Sequence, residues 1–430
     1  MNNDYEDNLL YDVEPEEDNP GRGGGTFLLI IFLIILIAAG TIYWRFVRMP
    51  LNGCSKKTSN LISNFEKEDL KQKGHEEGAA LLPDRERRIY NYILPQVEKV
   101  ALGERESTSF QIPVELILGK PDGETGGKLV YKKDTLGIEK LDSKSLSRRL
   151  FDFDGNSVIL ALKYMAPDQV YWFGRKWNIS TENLTYHENG DCVSIDKNGG
   201  NVFLNMNVSS DFRPKDSESK NIVDLEKIRQ VHKVTANADK IIAKAANMDD
   251  YDKLKYYKEF ICNSVDYNHK AARSTETDEG NPWQMMWVFD NDSSTKVVCE
   301  GYSKAFKYLC DHTKFNRPVH CYLVTGYASS SQKKDDQCAH MWNVVQMDDG
   351  KNYMVDLTSS DYGEGSFDFI FLSGAPENDG WYLIKGSKID TEAGKTVYRR
   401  FKCYYSYDKR TEELYKKTNL LNLADRPYGR

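Results

Sequence analysis

Cys299, His340 and Asp356, in that order along the second half of the chain, are the residue types that thiol acyl chemistry uses. Cys299 lies in "KVVCEGYSKAFKYLCDH", where Tyr302, Ala305, Phe306 and Leu309 fall at i, i+3, i+4 and i+7. That spacing predicts a helix with one buried face and Cys299 at its mouth. A thiol there feels unpaired N–H groups and the positive end of the helix dipole, which favour thiolate. The same N–H groups can form an oxyanion hole for a tetrahedral intermediate. Taken alone, a cysteine ahead of a helix is more often a buried structural thiol.

The other two residues strengthen the case through register. "AHMWNVVQM" and "NYMVDLT" alternate like strands on either side of "DDG". A three-residue loop of Asp348, Asp349 and Gly350, with Gly350 in the left-handed position, sets Met347 opposite Lys351 and Trp342 opposite Asp356. His340, two residues along on the same face, is then a diagonal neighbour of the carboxylate. A two-residue "DG" loop would turn Asp356 to the other face. In these roles Cys299 attacks a carbonyl, His340 takes and returns the proton, and Asp356 orients the imidazole.

Four more residues are candidates for the oxyanion hole or the pocket. Gln284 and Trp287 precede the nucleophile, and a Gln side chain can complete an oxyanion hole. Tyr302 and Trp342 flank the chemistry, and Trp342 also suits packing within the hairpin. Cys310, His312, His320, Cys321 and Cys338 lack the C-x-x-C or H-E-x-x-H spacing that fixes a metal, and no acidic loop has EF-hand spacing. "GKPDGETGGK" misses the phosphate-loop pattern, with Leu129 where Ser or Thr should follow the lysine. No cofactor or metal is expected.

"VCEGYSKAF", "HMWN" and "YMVDLT" together resemble the transglutaminase-like superfamily, particularly its bacterial members. "YDKLKYYKEFICNSVDYN" is similar to the helical lead-in of that family, "FDFIFLSG" to its downstream strand, and "ALKYMAPDQVYWF" to a segment ahead of the core in some members. The resemblance covers about residues 220–375 well and 155–215 loosely. It places Cys299, His340 and Asp356 at the nucleophile, base and orienting-acid positions. It implies an α+β fold with a papain-like core, a helix-borne cysteine packed on an antiparallel sheet. The sequence departs from the family at Met341, where a small residue is commoner, in a hairpin one residue longer, and in "TSSD", where an aromatic often follows.

Those elements need positioning by the rest of the 430 residues, enough for two domains and accessory segments. Residues 26–44, "TFLLIIFLIILIAAGTIYW", carry no charge over a length that spans about 28 Å as a helix, and read as a single membrane anchor. The acidic residues 1–25 ahead of it are not the basic start of a cleaved signal peptide. Residues 45–83 read as a stalk, 84–215 as a mixed α/β accessory unit, 216–405 as the catalytic domain and 406–430 as a tail. Within the accessory unit, "DCVSID" and "NVFLNMNV" read as two strands joined by a "KNGGN" hairpin loop. A helix is expected over 221–246 and a second one capped by Asp249 or Asp250.

The formal charge of −7 resides entirely in residues 1–25, whose eight acids face Arg22 alone, so the body is neutral and lacks the basic stripe of a nucleic-acid binder. The expected placement is a single-pass membrane protein with its large domain outside the cytoplasm, although Arg45, Arg48, Lys56 and Lys57 after the apolar run argue the reverse. The expected partner is a peptide or protein, cell-envelope material in particular. Hydrolysis and acyl transfer to an amine remain open, because the same triad serves both. The alternative is a silent binding or scaffolding module of the cell envelope that keeps the fold.

Overall fold

The computed structural model describes residues 78–113, 116, 131–133, 137, 139–141, 153–183, 186–189, 192–195, 201–273, 284–331, 337–361, 370–392 and 395–429. The acidic segment, the apolar run 26–44, most of the stalk and "GKPDGETGGK" lie outside them. Among the described residues no helix is long and apolar enough to cross a membrane.

In chain order, the first half comprises α1 (Asp84–Ala101), β1 (Ser109–Ile112), β2 (Tyr131–Lys133), β3 (Glu139–Leu141), α2 (Gly155–Met165), β4 (Phe173–Glu182), β5 (Tyr186–Asn189), β6 (Cys192–Ile195) and β7 (Asn201–Val208). The second half comprises α3 (Leu225–Ala245), α4 (Asp250–Ser264), β8 (Asp266–Tyr267), α5 (Gln284–Trp287), β9 (Lys296–Val297), α6 (Cys299–Asp311), β10 (His320–Ser329), β11 (Cys338–Gln346) and β12 (Asn352–Val355). After these come α7 (Leu357–Ser360), β13 (Glu377–Asn378), β14 (Trp381–Glu392), β15 (Lys395–Tyr407) and α8 (Lys409–Tyr415).

Helix starts follow the capping chemistry of the sequence. Asp154, Asp224, Asp249 and Asp408 each accept backbone N–H groups at the first turns of α2, α3, α4 and α8. α6 differs: extended Val298 precedes it and no side chain caps it. Ile89, Ile93, Val97 and Val100 form the buried face of α1, which tolerates Pro95 inside it.

The fold is mixed α/β with an antiparallel sheet at its centre. Its six strands run β12-β11-β10-β15-β14-β13, and α6 packs on β10 and β11. A smaller sheet runs β1-β7-β4. The runs around Cys192 and Asn201 are both strands, but they do not form the expected hairpin. β6 pairs with β5, while β7 pairs with β1 and β4. β7 is buried at Val202, Leu204 and Met206, so its apolar side chains are better satisfied at the centre of a sheet than in a two-stranded ribbon.

The two halves share one continuous apolar core. α2 meets β10 and α8, and the Tyr164 hydroxyl lies 2.6 Å from Thr325 Oγ1. Residues 406–429, of the segment 406–430 read from sequence as a tail, are part of the packed unit. β15 runs through Tyr407, Leu414, Tyr415 and Leu420 are buried, and Tyr428 donates to Asp348 at 2.7 Å. The apolar residues are too widely spaced there to show a period, so the packing emerges only from the partners.

Candidate active site

The hairpin carrying two of the three residues has the register that the loop argument requires. Asn343 pairs with Val355 and Gln346 with Asn352, and Gly350 takes a positive φ of 73° in a loop of Asp348, Asp349 and Gly350. Asp356 follows directly on the strand, one position beyond the Asn343–Val355 pair. His340 Nε2 and Asp356 Oδ2 are 2.9 Å apart.

Cys299 reaches the same place from α6. β9 pairs in parallel with β8 and delivers Val298, and the chain turns tightly into the helix. Gly301 permits the turn, because a Cβ there would stand 2.6 Å from Val297 Cβ. The Ser303 hydroxyl donates to Met341 O at 2.9 Å, and Asn343 Nδ2 donates to Ser303 O at 3.0 Å. These bonds pin α6, at the start of its second turn, to β11 one residue from His340. Cys299 is half-buried, and its thiol stands close enough to His340 to act on the charge of the imidazole. With Nε2 engaged by Asp356, the other ring nitrogen is the one left for the thiol.

The electrostatics oppose burial and overcome it. Burial disfavours charge on His340, but the charge and hydrogen bond of Asp356, with those of Cys299, lift its pKa well above the ordinary histidine value. Burial likewise disfavours ionised Asp356, whose side chain is fully enclosed. The charge of His340 and hydrogen bonds from His340, Ser359 and Tyr405 still hold its pKa below the usual carboxylate range. Cys403 lies near enough to feel this carboxylate, and burial together with the Asp356 charge pushes its pKa up to about 11.

The four additional candidates separate. Gln284 opens α5, which packs against α6, but its side chain lies outside the described residues. Trp287 is 39% exposed on the same short helix. Tyr302 is not a pocket wall: it is fully buried, and its hydroxyl donates to Val265 O at 3.2 Å and to Asp361. Trp342 is also fully buried. It stacks on Tyr407 at 5.6 Å and meets Tyr405 edge-on at 5.2 Å, with His340 5.9 Å away. Alternation along β11 carried Trp342 to the enclosed middle of the sheet, where it packs rather than lines a cleft. Gly326, opposite His340 on β10, lets the backbone of β15 approach, since a Cβ there would collide with Ser406 O and stand 2.9 Å from the Trp342 ring.

Sequence reasoning missed Tyr405 and Ser359. The Tyr405 hydroxyl donates to Asp356 Oδ2 at 2.8 Å from β15, and the Ser359 hydroxyl donates to the same oxygen at 2.7 Å from the single turn after β12. Ser359 belongs to the "TSSD" that departs from the family pattern, and that departure was a signal. Alternating aromatics in "CYYSY" could have marked a strand, but nothing local tied it to Asp356.

Cys262, Cys299, Cys310, Cys321, Cys338 and Cys403 are free thiols. Among the described residues no group of three or more His, Cys, Asp or Glu side chains is placed to hold a metal ion. Two surface clefts, of about 460 and 700 Å³, lie around Trp381 and Tyr404 and around Lys351 and Asn422. No triad residue lines either of them.

No family model matches this sequence, and no curated protein matches it. Among solved structures, the chain is similar to a crystal structure of a TGase at 16% identity over 43% of this chain and 46% of that one, with a TM-score of 0.25. The chain thus spans under half the length of that structure, and the mutual placement of Cys299, His340 and Asp356 stands on its own geometry.

Proposed function

We propose that this chain is a transglutaminase-like cysteine enzyme acting on peptide or protein amides, with Cys299 as nucleophile, His340 as base and then acid, and Asp356 as the orienting carboxylate. One observation carries the reading: His340 is hydrogen-bonded to the buried Asp356, whose pKa is held below the usual carboxylate range, and lies close enough to the Cys299 thiol for each to act on the other's charge. In the reaction, Cys299 sulfur bonds to the substrate carbonyl carbon, and the thiol proton resides on His340. Collapse of the tetrahedral intermediate breaks the carbon–nitrogen bond, and His340 returns the proton to the leaving amine. Water or a second amine then attacks the thioester, with His340 again as base. The first turn of α6, free of a side-chain cap, offers backbone N–H groups to the oxyanion. Apolar residues 26–44 suit a membrane anchor, which would place the enzyme among cell-envelope substrates.

The test is alkylation of Cys299 against pH in the wild type and in His340→Ala. Rapid alkylation at neutral pH, at least tenfold slower in the variant, is expected. Equal rates in the two would remove the triad and favour a silent binding module.

A further inference from the structure

Asp356 is held by more donors than an orienting carboxylate requires. Its Oδ2 accepts from His340 Nε2 at 2.9 Å, Ser359 Oγ at 2.7 Å and Tyr405 OH at 2.8 Å. Oδ1 accepts from Ser359 N at 3.2 Å. A carboxylate oxygen offers about two lone-pair directions, so three donors on Oδ2 compete for one centre of charge. Tyr405 is built to remain a donor: burial first, and then the charges of Asp356 and Cys403, push its pKa well above the ordinary phenol. Its ring also lies 6.2 Å from that of His340 and meets Trp342 edge-on, so hydroxyl and ring are fixed together. Two further bonds hold the main chain of Asp356, with Asp356 N donating to Ile370 O at 2.9 Å and the Ser360 hydroxyl donating to Asp356 O at 2.8 Å. The backbone of Asp356 is thus secured without the Tyr405 and Ser359 hydroxyls, which act on the carboxylate itself.

We infer that Tyr405 and Ser359 are positioning residues that draw part of the Asp356 charge away from His340, so that the carboxylate orients the imidazole without trapping its proton. An imidazolium bound too tightly by an unshared carboxylate is a poor acid toward the leaving amine, and acylation slows. The two hydroxyls act through Asp356, to which both of them donate. This inference rests on the triad reading for its consequence in turnover, but not for its consequence in proton affinity. The other titratable groups facing the pair are Cys299 from α6, Cys403 from β15 and Cys262 from α4, whose thiol lies 3.7 Å from Leu357 O.

The experiment compares Tyr405→Phe, Ser359→Ala and the double variant in the full-length chain. Two readouts are used: NMR titration of the His340 ring nitrogens, and the pH profile of amide turnover. In each single variant the His340 titration and the basic limb of turnover are expected to move to higher pH, and further in the double. kcat should fall about tenfold with KM within about twofold. An unchanged or downward His340 titration in the folded variants overturns the inference. Should Tyr405→Phe fail to fold, Ser359→Ala alone decides, since Ser359 is only half-buried on a single turn. Absence of turnover in the wild type, with the upward His340 shift retained in the variants, would sink the enzyme reading and leave the charge-sharing intact.

Discussion

Two His–Asp pairs sit near opposite ends of α6, and their unlike surroundings explain why only one is a candidate for chemistry. At the start of the helix, His340 and Asp356 are 2.9 Å apart with side chains 10% and 1% exposed. At its end, His312 follows the last turn and faces Asp168 at 3.6 Å, with side chains 44% and 19% exposed. His312 stands beside the carbonyl end of a helix, where positive charge is favoured whether or not it does anything else. Burial works against its charge, while the hydrogen bond and charge of Asp168 raise its pKa. The signs match those at His340, but the exposed pair is loosened by water. Residue type therefore selects neither pair. Enclosure, the added donors on Asp356 and a thiol within reach separate them.

The comparison breaks most sharply at the histidines. His340→Ala should lower amide turnover by at least about a thousandfold, while His312→Ala should leave it within about twofold. Comparable losses in the two would mean that α6 is sensitive to any change, and the triad would lose its support. Asp356→Asn should cost about a hundredfold to ten-thousandfold in kcat through the wrong imidazole orientation, with Asp168→Asn near wild type.

The pH dependence of stability gives a smaller contrast. Raised in the folded state, His340 contributes stability that is full below its unfolded value of about 6.5 and is lost as pH rises through the folded value. Lowered in the folded state, Asp356 contributes stability present above about 3.9 that is lost as pH falls through its folded value. The wild type should therefore exceed Asp356→Asn in Tm most between those limits, and the gap should close at both ends. A gap constant with pH would show that the loss is packing alone. The smallest effect concerns salt. The His312–Asp168 pair should contribute about 0–1 kcal/mol and fade in 1 M NaCl, whereas the His340–Asp356 contribution should persist. Double-mutant cycles at two salt concentrations measure both.

What could be read from the sequence was whatever local periodicity encodes. The helix behind Cys299 followed from residues three and four apart, and the pairing of β11 with β12 followed from loop length and a period of two, because a strand has only two faces to choose between. Gly350 was legible for the same reason, since its loop needs a left-handed residue. The contact between Cys299 and His340 was not, since no periodicity links α6 to β11. Hydrogen bonds of Ser303 and Asn343 decide it.

Only the tertiary structure placed Tyr405 on Asp356, joined the Tyr302 hydroxyl to Asp361, and folded residues 406–429 into the unit. Each depends on side chains that meet after long loops close, and loop closure leaves no mark on local spacing. The sequence by itself singled out Cys299, His340 and Asp356 and the face two of them share. Packing chose which oxygen, which hydroxyls and how much water surround them, because burial and charge are properties of neighbours and not of residues.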